Sequence, residues 1–108
     1  MLEDDDALLA RLRAGDEAAF DLLVSRLDAS LRRVASTFVP TQALADDVVQ
    51  ETWLAVIRGL HGFEGRSSLR TWIFRILANR ARTRAVREAR SVPLSSVGAS
   101  IGSPVSGS

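Results

Sequence analysis

The residues best suited to acid–base or metal chemistry are two adjacent carboxylates, Asp46 and Asp47, and a single histidine, His61. Adjacent helix positions point about 100° apart, so the carboxylates do not converge on one proton or one metal ion. One histidine without any cysteine offers no ligand set for zinc. The chain also lacks a glycine-rich phosphate loop, HExxH and GxSxG. We therefore predict a protein that is not an enzyme, with no metal and no cofactor.

The arginines indicate a different chemistry, the binding of a polyanion. Residues 1–65 contain 12 acids and 6 arginines, a net charge of −6, whereas residues 66–108 contain 8 arginines and one acid, a net charge of +7. A basic end on an acidic body is typical of a nucleic-acid surface, although a solvated helix end would have the same composition. On composition alone, the two interpretations are equally favoured.

Hydrophobic periodicity predicts an all-α fold, a compact bundle of about four helices over residues 4–14, 17–39, 42–60 and 69–89. Asp16 and Thr41 are suitable N-caps for the second and third helices, and Ser67 or Ser68 for the fourth. At 108 residues, the chain is long enough for one small core. The predicted domain is 1–90. Residues 91–108, rich in Ser, Gly and Pro, are predicted to form a flexible linker or tail.

The third predicted helix has an apolar face of Ala45, Val49, Trp53, Val56 and Leu60. Its opposite face is polar apart from one aliphatic residue, and comprises Asp47, Gln50, Glu51, Leu54 and Arg58. Leu54 is either an isolated exposed leucine, which is common, or the anchor of a contact with a partner helix.

The fourth predicted helix changes character along its length. Its first half buries Leu69, Trp72, Ile73, Ile76 and Leu77, and the core is expected to end near Leu77 because arginines follow on that face. A second face aligns Thr71, Arg75, Asn79 and Arg82. Its cations could follow a phosphate backbone while Asn79 reaches a base edge.

No apolar run approaches the roughly 20 residues that span a membrane. The N-terminus, MLEDDDALLARL, is acidic where a signal peptide is basic. We therefore predict a cytoplasmic protein without membrane insertion.

Two segments, GDEAAFDLLV and DDVVQETWLAVIRGLHGFEGRSSLRTWIFRILANRARTR, closely resemble domain 2 of the extracytoplasmic-function (ECF) group of bacterial sigma-70 family factors. The resemblance covers about residues 4 to 90. It implies binding to core RNA polymerase and recognition and melting of the promoter −10 element, with an anti-sigma factor as a further partner. It also implies a following domain that reads the −35 element, and the chain is expected to end within the linker to that domain.

The resemblance assigns two surfaces. The third helix would bind the clamp helices of the polymerase β′ subunit through Asp46, Asp47, Gln50, Glu51, Leu54 and Arg58. The connecting loop, residues 61–68, and the fourth helix would bind the non-template strand, the loop taking up a base flipped from the stack. The implied DNA-binding residues are Phe63, Arg66, Ser67, Arg70, Thr71, Phe74, Arg75, Asn79, Arg80 and Arg82, with Arg84 as a further phosphate contact.

Among these residues, Asn79 is our first choice for a base contact, and Phe63, Trp72 and Phe74 are the candidates for stacking on bases. We expect Trp72 to be mostly core and Phe74 to be partly exposed. The alternative function is a helical protein–protein module without autonomous DNA recognition. A duplex-DNA regulator is disfavoured, because the obvious recognition helix, the third, is acidic.

Overall fold

The computed structural model describes residues 5–91, which form four α-helices and one 3₁₀ turn. They are α1 (Asp5–Arg13), α2 (Glu17–Ser36), α3 (Gln42–Gly59), the 3₁₀ turn (Leu60–Gly62) and α4 (Leu69–Ser91). The described part of the chain contains no strand, so the predicted all-α class is confirmed. The predicted tail lies outside the described residues except for Ser91, the last residue of α4.

The helix starts form where the local sequence supplies caps. The Asp16 carboxylate accepts hydrogen bonds from the backbone amides of Ala18 and Ala19, at 3.0 and 3.2 Å. Thr41 Oγ1 accepts from the amide of Leu44 at 3.1 Å. Gly15, with a φ of 81°, ends α1 in the left-handed region that glycine adopts without strain.

The structure corrects the predicted end of α2, which stops at Ser36 and not at residue 39. Pro40 disfavours helical backbone at the residue before it. The chain turns instead, with the amides of Thr37 and Phe38 bonding back to the carbonyls of Val34 and Ala35.

Helices α2, α3 and α4 pack against one another around the core, and α1 packs against α2 and the 3₁₀ turn. The apolar face predicted for α3 is buried as expected, together with Val48 and Thr52. Thr52 is satisfied in the core because its hydroxyl donates to the carbonyl of Val48 at 2.8 Å.

The core extends further along α4 than predicted. Ala81 is fully buried, one turn beyond Leu77, and the Arg84 side chain is only 14% exposed. The small methyl group of Ala81 allows close helix packing, and Arg84 is accommodated because it forms ion pairs with α3. The expected end of the core at Leu77 was therefore wrong by at least one turn.

A polar cluster joins α2 to α3 beside this core. Asp28 accepts hydrogen bonds from the Trp53 indole at 3.0 Å and from Arg32 at 2.7 Å. Arg32 also bonds to Asp46 at 2.7 Å, and Asp46 accepts from Gln42 at 2.9 Å. Burial raises the pKa of Asp28, but the bonds from Arg32 and Trp53 and the charge of Arg32 outweigh it, so this pKa lies below its usual value.

We expect the free energy of unfolding to fall in acid, in part through Asp28. A carboxyl whose pKa is lower in the folded state contributes stability above its unfolded pKa, and the contribution is lost as pH falls through the folded pKa. For Asp28 this window lies below about pH 4. Urea unfolding between pH 2 and 7 measures it, and an Asp28→Asn variant should lose less stability in acid. If the free energy of unfolding falls as steeply with decreasing pH in Asp28→Asn as in the wild type, this account is contradicted.

Candidate nucleic-acid and protein interfaces

The first turns of α4 present an aromatic ring and a cation together. The Arg70 guanidinium lies over the Phe74 ring, 4.7 Å from its centroid. With Thr71 and Arg75, these residues line an open concavity of about 310 Å³. Phe74 is partly buried against the core, as expected, while the other three are exposed. A planar base can stack on such a ring and guanidinium while the cations contact the strand's phosphates.

Thr71 and Arg75 align on one side of α4 with Asn79 and Arg82 farther toward the C-terminus, and all four are exposed. The Asn79 side-chain oxygen accepts a long hydrogen bond of 3.3 Å from Arg82, one that a base edge could replace. We call the set Thr71, Arg75, Asn79 and Arg82 the outer face of α4. Val86, 49% exposed, follows on the same side one turn later and was not singled out from the sequence.

The connecting loop exposes charge at its tip. Arg66 pairs with Glu64 at 2.8 Å, and their side chains are 87% and 65% exposed. Gly65 between them has a φ of 76°, a conformation in which a side chain would be strained. Ser67 is half-buried beside them. The loop thus offers a solvated cation on a turn that requires glycine.

Phe63, a predicted stacking residue, lies differently from the other loop residues. Its ring is buried, 8% exposed, and packs on Trp72 with centroids 4.8 Å apart. In this conformation the Phe63 ring packs under the loop and has little exposed surface on which a base could stack. Its contact with DNA stays a prediction. Trp72 itself is partly buried against the core and covers Gly59, where a Cβ would come within 3.0 Å of the indole.

The outer face of α3 combines polar and apolar groups. Gln50, Leu54 and Arg58 are exposed, and Leu54 is half exposed at 50%. Ile57 is equally exposed beside Leu54, so the single anchor expected from the sequence is an aliphatic pair. Helical spacing would have revealed Ile57, because position 57 falls within about 60° of position 54 on a helical wheel. This pair with its polar rim is suited to holding an apolar helix.

The remaining carboxylates predicted for this surface are engaged with other helices. Asp46 is bonded to Arg32 of α2, and Glu51 pairs with Arg84 of α4 at 2.5 Å. Asp47 lies 3.6 Å from Arg84 but keeps a side chain that is 62% exposed. Arg84, expected to contact phosphate, is therefore largely buried and neutralised. Asp46 and Glu51 hold α3 against its neighbours in this structure.

The two surfaces meet at a small concavity of about 130 Å³ between α3 and α4. It is lined by Glu51, Asn79, Arg80, Thr83, Arg84 and Arg87. Arg80 is exposed beside it, about 100° from Asn79 around the α4 axis. A partner on α3 and a strand on α4 would therefore lie side by side.

Residues 5–91 contain no group of three or more His, Cys, Asp or Glu side chains that could hold a metal ion. None of the helices in that range is both long and apolar enough to cross a membrane.

The described residues thus form a helical domain with a basic, partly aromatic surface beside a mixed polar and apolar surface. The family model for sigma-70 region 2 matches residues 23–91, and the chain belongs to the sigma-70 family. Within that family it corresponds to domain 2 of the ECF group.

Several curated relatives share this region. ECF RNA polymerase sigma-E factors of Escherichia coli K12 and Salmonella typhimurium LT2 are each 38% identical over 95 residues, which cover 88% of this chain and 49% of theirs. The RNA polymerase sigma-H factor of Pseudomonas aeruginosa is 37% identical over 95 residues, which again cover 88% of this chain and 49% of the relative. The chain thus spans about half the length of the curated relatives it matches.

Two solved structures have the same fold. An engineered region 2 of sigmaE, determined by NMR in complex with GTAAAA, has a TM-score of 0.71 and 34% identity, covering 87% of this chain and all of that one. CnrH in complex with the cytosolic domain of CnrY has a TM-score of 0.68 and 31% identity, covering 95% of this chain and 68% of that one.

Proposed function

We propose that this domain acts in transcription initiation, binding core RNA polymerase through the outer face of α3 and the non-template strand of the promoter −10 element through the connecting loop and α4. The observation that carries the proposal is the exposed surface of α4, where the Arg70–Phe74 pair lies in the first turns and the outer face with Thr71, Arg75, Asn79 and Arg82 extends toward the C-terminus. The full-length match to a sigmaE region 2 bound to GTAAAA supports the same assignment. The domain would work in the cytoplasm and would carry out no reaction of its own.

The physical basis of melting would be a difference in affinity. A base that stacks on Phe74 and Arg70 must first leave the duplex, which costs a few kcal/mol. Stacking returns about 1–3 kcal/mol per base, and the phosphate contacts add to it. Because these contacts exist only with the separated strand, binding shifts the promoter toward the open state.

Phosphate contacts would come from the exposed cations. These are Arg66 on the loop and Arg70, Arg75, Arg80 and Arg82 on α4. Ser67 on the loop and Thr71 in the first turn of α4 could donate hydroxyl hydrogen bonds to the same backbone. We leave Arg84 out of this set because its side chain is largely buried and pairs with Glu51.

Polymerase binding would use Leu54 and Ile57 as apolar anchors, with Gln50, Arg58 and Asp47 at the rim. The partner proposed is the clamp-helix coiled coil of the β′ subunit, which would present an apolar helical stripe to this pair. CnrH, which has the same fold, is in complex with the cytosolic domain of CnrY, and we propose an anti-sigma factor as the second protein partner of this chain.

The test is a salt series with a fluorescent single strand. The chain should bind the strand GTAAAA more tightly than the same sequence in duplex form. If three to five arginines contact phosphates, log K should fall against log salt with a slope of about −2 to −3.5. A strand with the same bases in scrambled order is the control for sequence preference. Preference for the duplex, or affinity independent of salt, would favour a protein–protein module without autonomous DNA recognition.

A further inference from the structure

Helix α1 lies outside the residues that match the family model, 23–91, yet it contacts the connecting loop directly. Two of its side chains, Asp5 and Arg13, reach backbone atoms 47 to 64 positions away in the sequence. These contacts fall on both sides of the loop tip, which suggests a role in setting the shape of the loop.

Arg13 holds the first end of the loop. Its Nε donates to the carbonyl of Leu60 at 3.0 Å, and its Nη2 donates to the carbonyl of Phe63. The 3₁₀ turn between those residues is thereby fixed by one guanidinium, whose rigid fork can engage two acceptors at once. Both acceptor residues are buried, at 5% and 8% exposure, so these bonds are partly shielded from water.

Asp5 holds the other end. Its carboxylate accepts a hydrogen bond of 2.7 Å from the amide of Leu69, the first residue of α4. Ser68 Oγ accepts from the amide of Thr71 at 3.0 Å, so two of the first free amides of α4 have separate caps. A carboxylate at this end of a helix is also favoured by the helix dipole. The start of α4 is therefore tied to the start of α1.

We propose that α1 is a brace for the connecting loop, and that Arg13 and Asp5 are positioning residues for capture of the DNA strand. Neither is proposed to contact DNA. Together they fix the two ends of the loop, leaving Glu64, Gly65 and Arg66 exposed at its tip and the Phe63 ring held against Trp72. This inference rests on the proposed function, because its effect on binding presupposes that the loop receives a strand.

Loss of the brace should reduce affinity for the DNA strand, although no side chain that contacts DNA is removed. If the loop samples several shapes, the observed affinity falls in proportion to the fraction that can bind. The outer face of α3 is not bonded to Arg13 or Asp5 in the described structure, so affinity for polymerase should stay unchanged. A general loss of stability would instead weaken binding to the DNA strand and binding to polymerase alike.

The test compares Arg13→Ala and Asp5→Ala with matched controls on the same helix. Arg11→Ala removes the same charge from a side chain that pairs with Asp16, and Asp6→Ala removes a carboxylate exposed on the same turn as Asp5. Amide hydrogen exchange from Phe63 to Leu69 should rise roughly tenfold in the two brace variants and not in the controls. Their affinity for the GTAAAA strand should fall about three- to tenfold at unchanged affinity for core polymerase.

If an alanine variant unfolds, milder substitutions at the same positions can be measured instead. Asp5→Asn retains an oxygen that can accept from Leu69 and should recover part of the protection. Arg13→Lys retains the charge without the fork and should recover less. Unchanged exchange in the brace variants, or faster exchange with wild-type affinity for the strand, would overturn the proposal. If the wild-type chain binds no strand, the proposed function fails, and the brace then stands or falls on the exchange rates alone.

Discussion

Replacing Asn79 with alanine is expected to lower affinity for the preferred single strand about tenfold and to leave affinity for a scrambled strand nearly unchanged. A side-chain amide that pairs with a base edge discriminates against the wrong base by about 1–3 kcal/mol. Asn79 is exposed on the outer face of α4, and the hydrogen bond that its side-chain oxygen accepts from Arg82 is long at 3.3 Å. Fluorescence anisotropy with the two strands measures the effect.

Arg75→Gln is the contrasting variant, because Arg75 is exposed on the same face beside Phe74. As a phosphate contact, it should weaken binding to every strand alike and reduce the magnitude of the salt slope by about one phosphate contact. Equal weakening of both strands by Asn79→Ala would make Asn79 a backbone contact as well and would remove our assignment of the base reader.

Replacing Leu54 with alanine is expected to weaken binding to core polymerase about five- to thirtyfold, or roughly 1–2 kcal/mol. Leu54 is 50% exposed at the centre of the outer face of α3, where it can fill an apolar site on a partner helix. Its exposed half contributes little to the core, so the domain should remain folded. Gln50→Ala should weaken the same complex by less, since it would remove a polar contact at the rim.

Leu22→Ala is the matched control, as Leu22 is an exposed leucine on α2, 37% exposed and away from α3's outer face. Titration of labelled core polymerase with each variant, after circular dichroism has shown equal helix content, gives the comparison. Equal polymerase affinity for Leu54→Ala and wild type would place the docking surface elsewhere on the domain.

Local chemistry explains why the fold was largely predictable. Asp16, Thr41 and Ser68 cap the helices they precede, and Gly15 takes the left-handed conformation at the end of α1. Such signals lie within three residues of the atoms they bond, so a sequence displays them directly. The spacing of apolar residues likewise predicted the buried face of α3 directly from the sequence.

Contacts that join distant parts of the chain could not be predicted from local sequence. Nothing near Phe63 indicates that its ring is covered by Trp72, and nothing near Asp5 indicates that it caps α4. The pairing of Arg84 with Glu51 likewise depends on how α4 crosses α3. A charge pattern cannot distinguish an arginine that is free for phosphate from one neutralised by another helix.

Position in the bundle also separates the predicted residues into groups with different roles. Arg70, Arg75, Asn79 and Arg82 remain available on the surface, whereas Asp46 and Glu51 hold helices together. The acidic and basic halves of the sequence therefore do not form two simple charged surfaces. Some of the acidic and basic side chains pair with each other between helices, and those that remain exposed define the two candidate interfaces.

The central claim is that one separated DNA strand is read by the loop and α4, and a binding panel tests it most directly. The 108-residue chain would be titrated with GTAAAA and with each of its single-base substitutions, alone and with core polymerase. We predict at least one position where a wrong base costs about tenfold in affinity, and loss of that preference in Asn79→Ala. Affinities that are the same for every strand, with and without polymerase, would contradict the account.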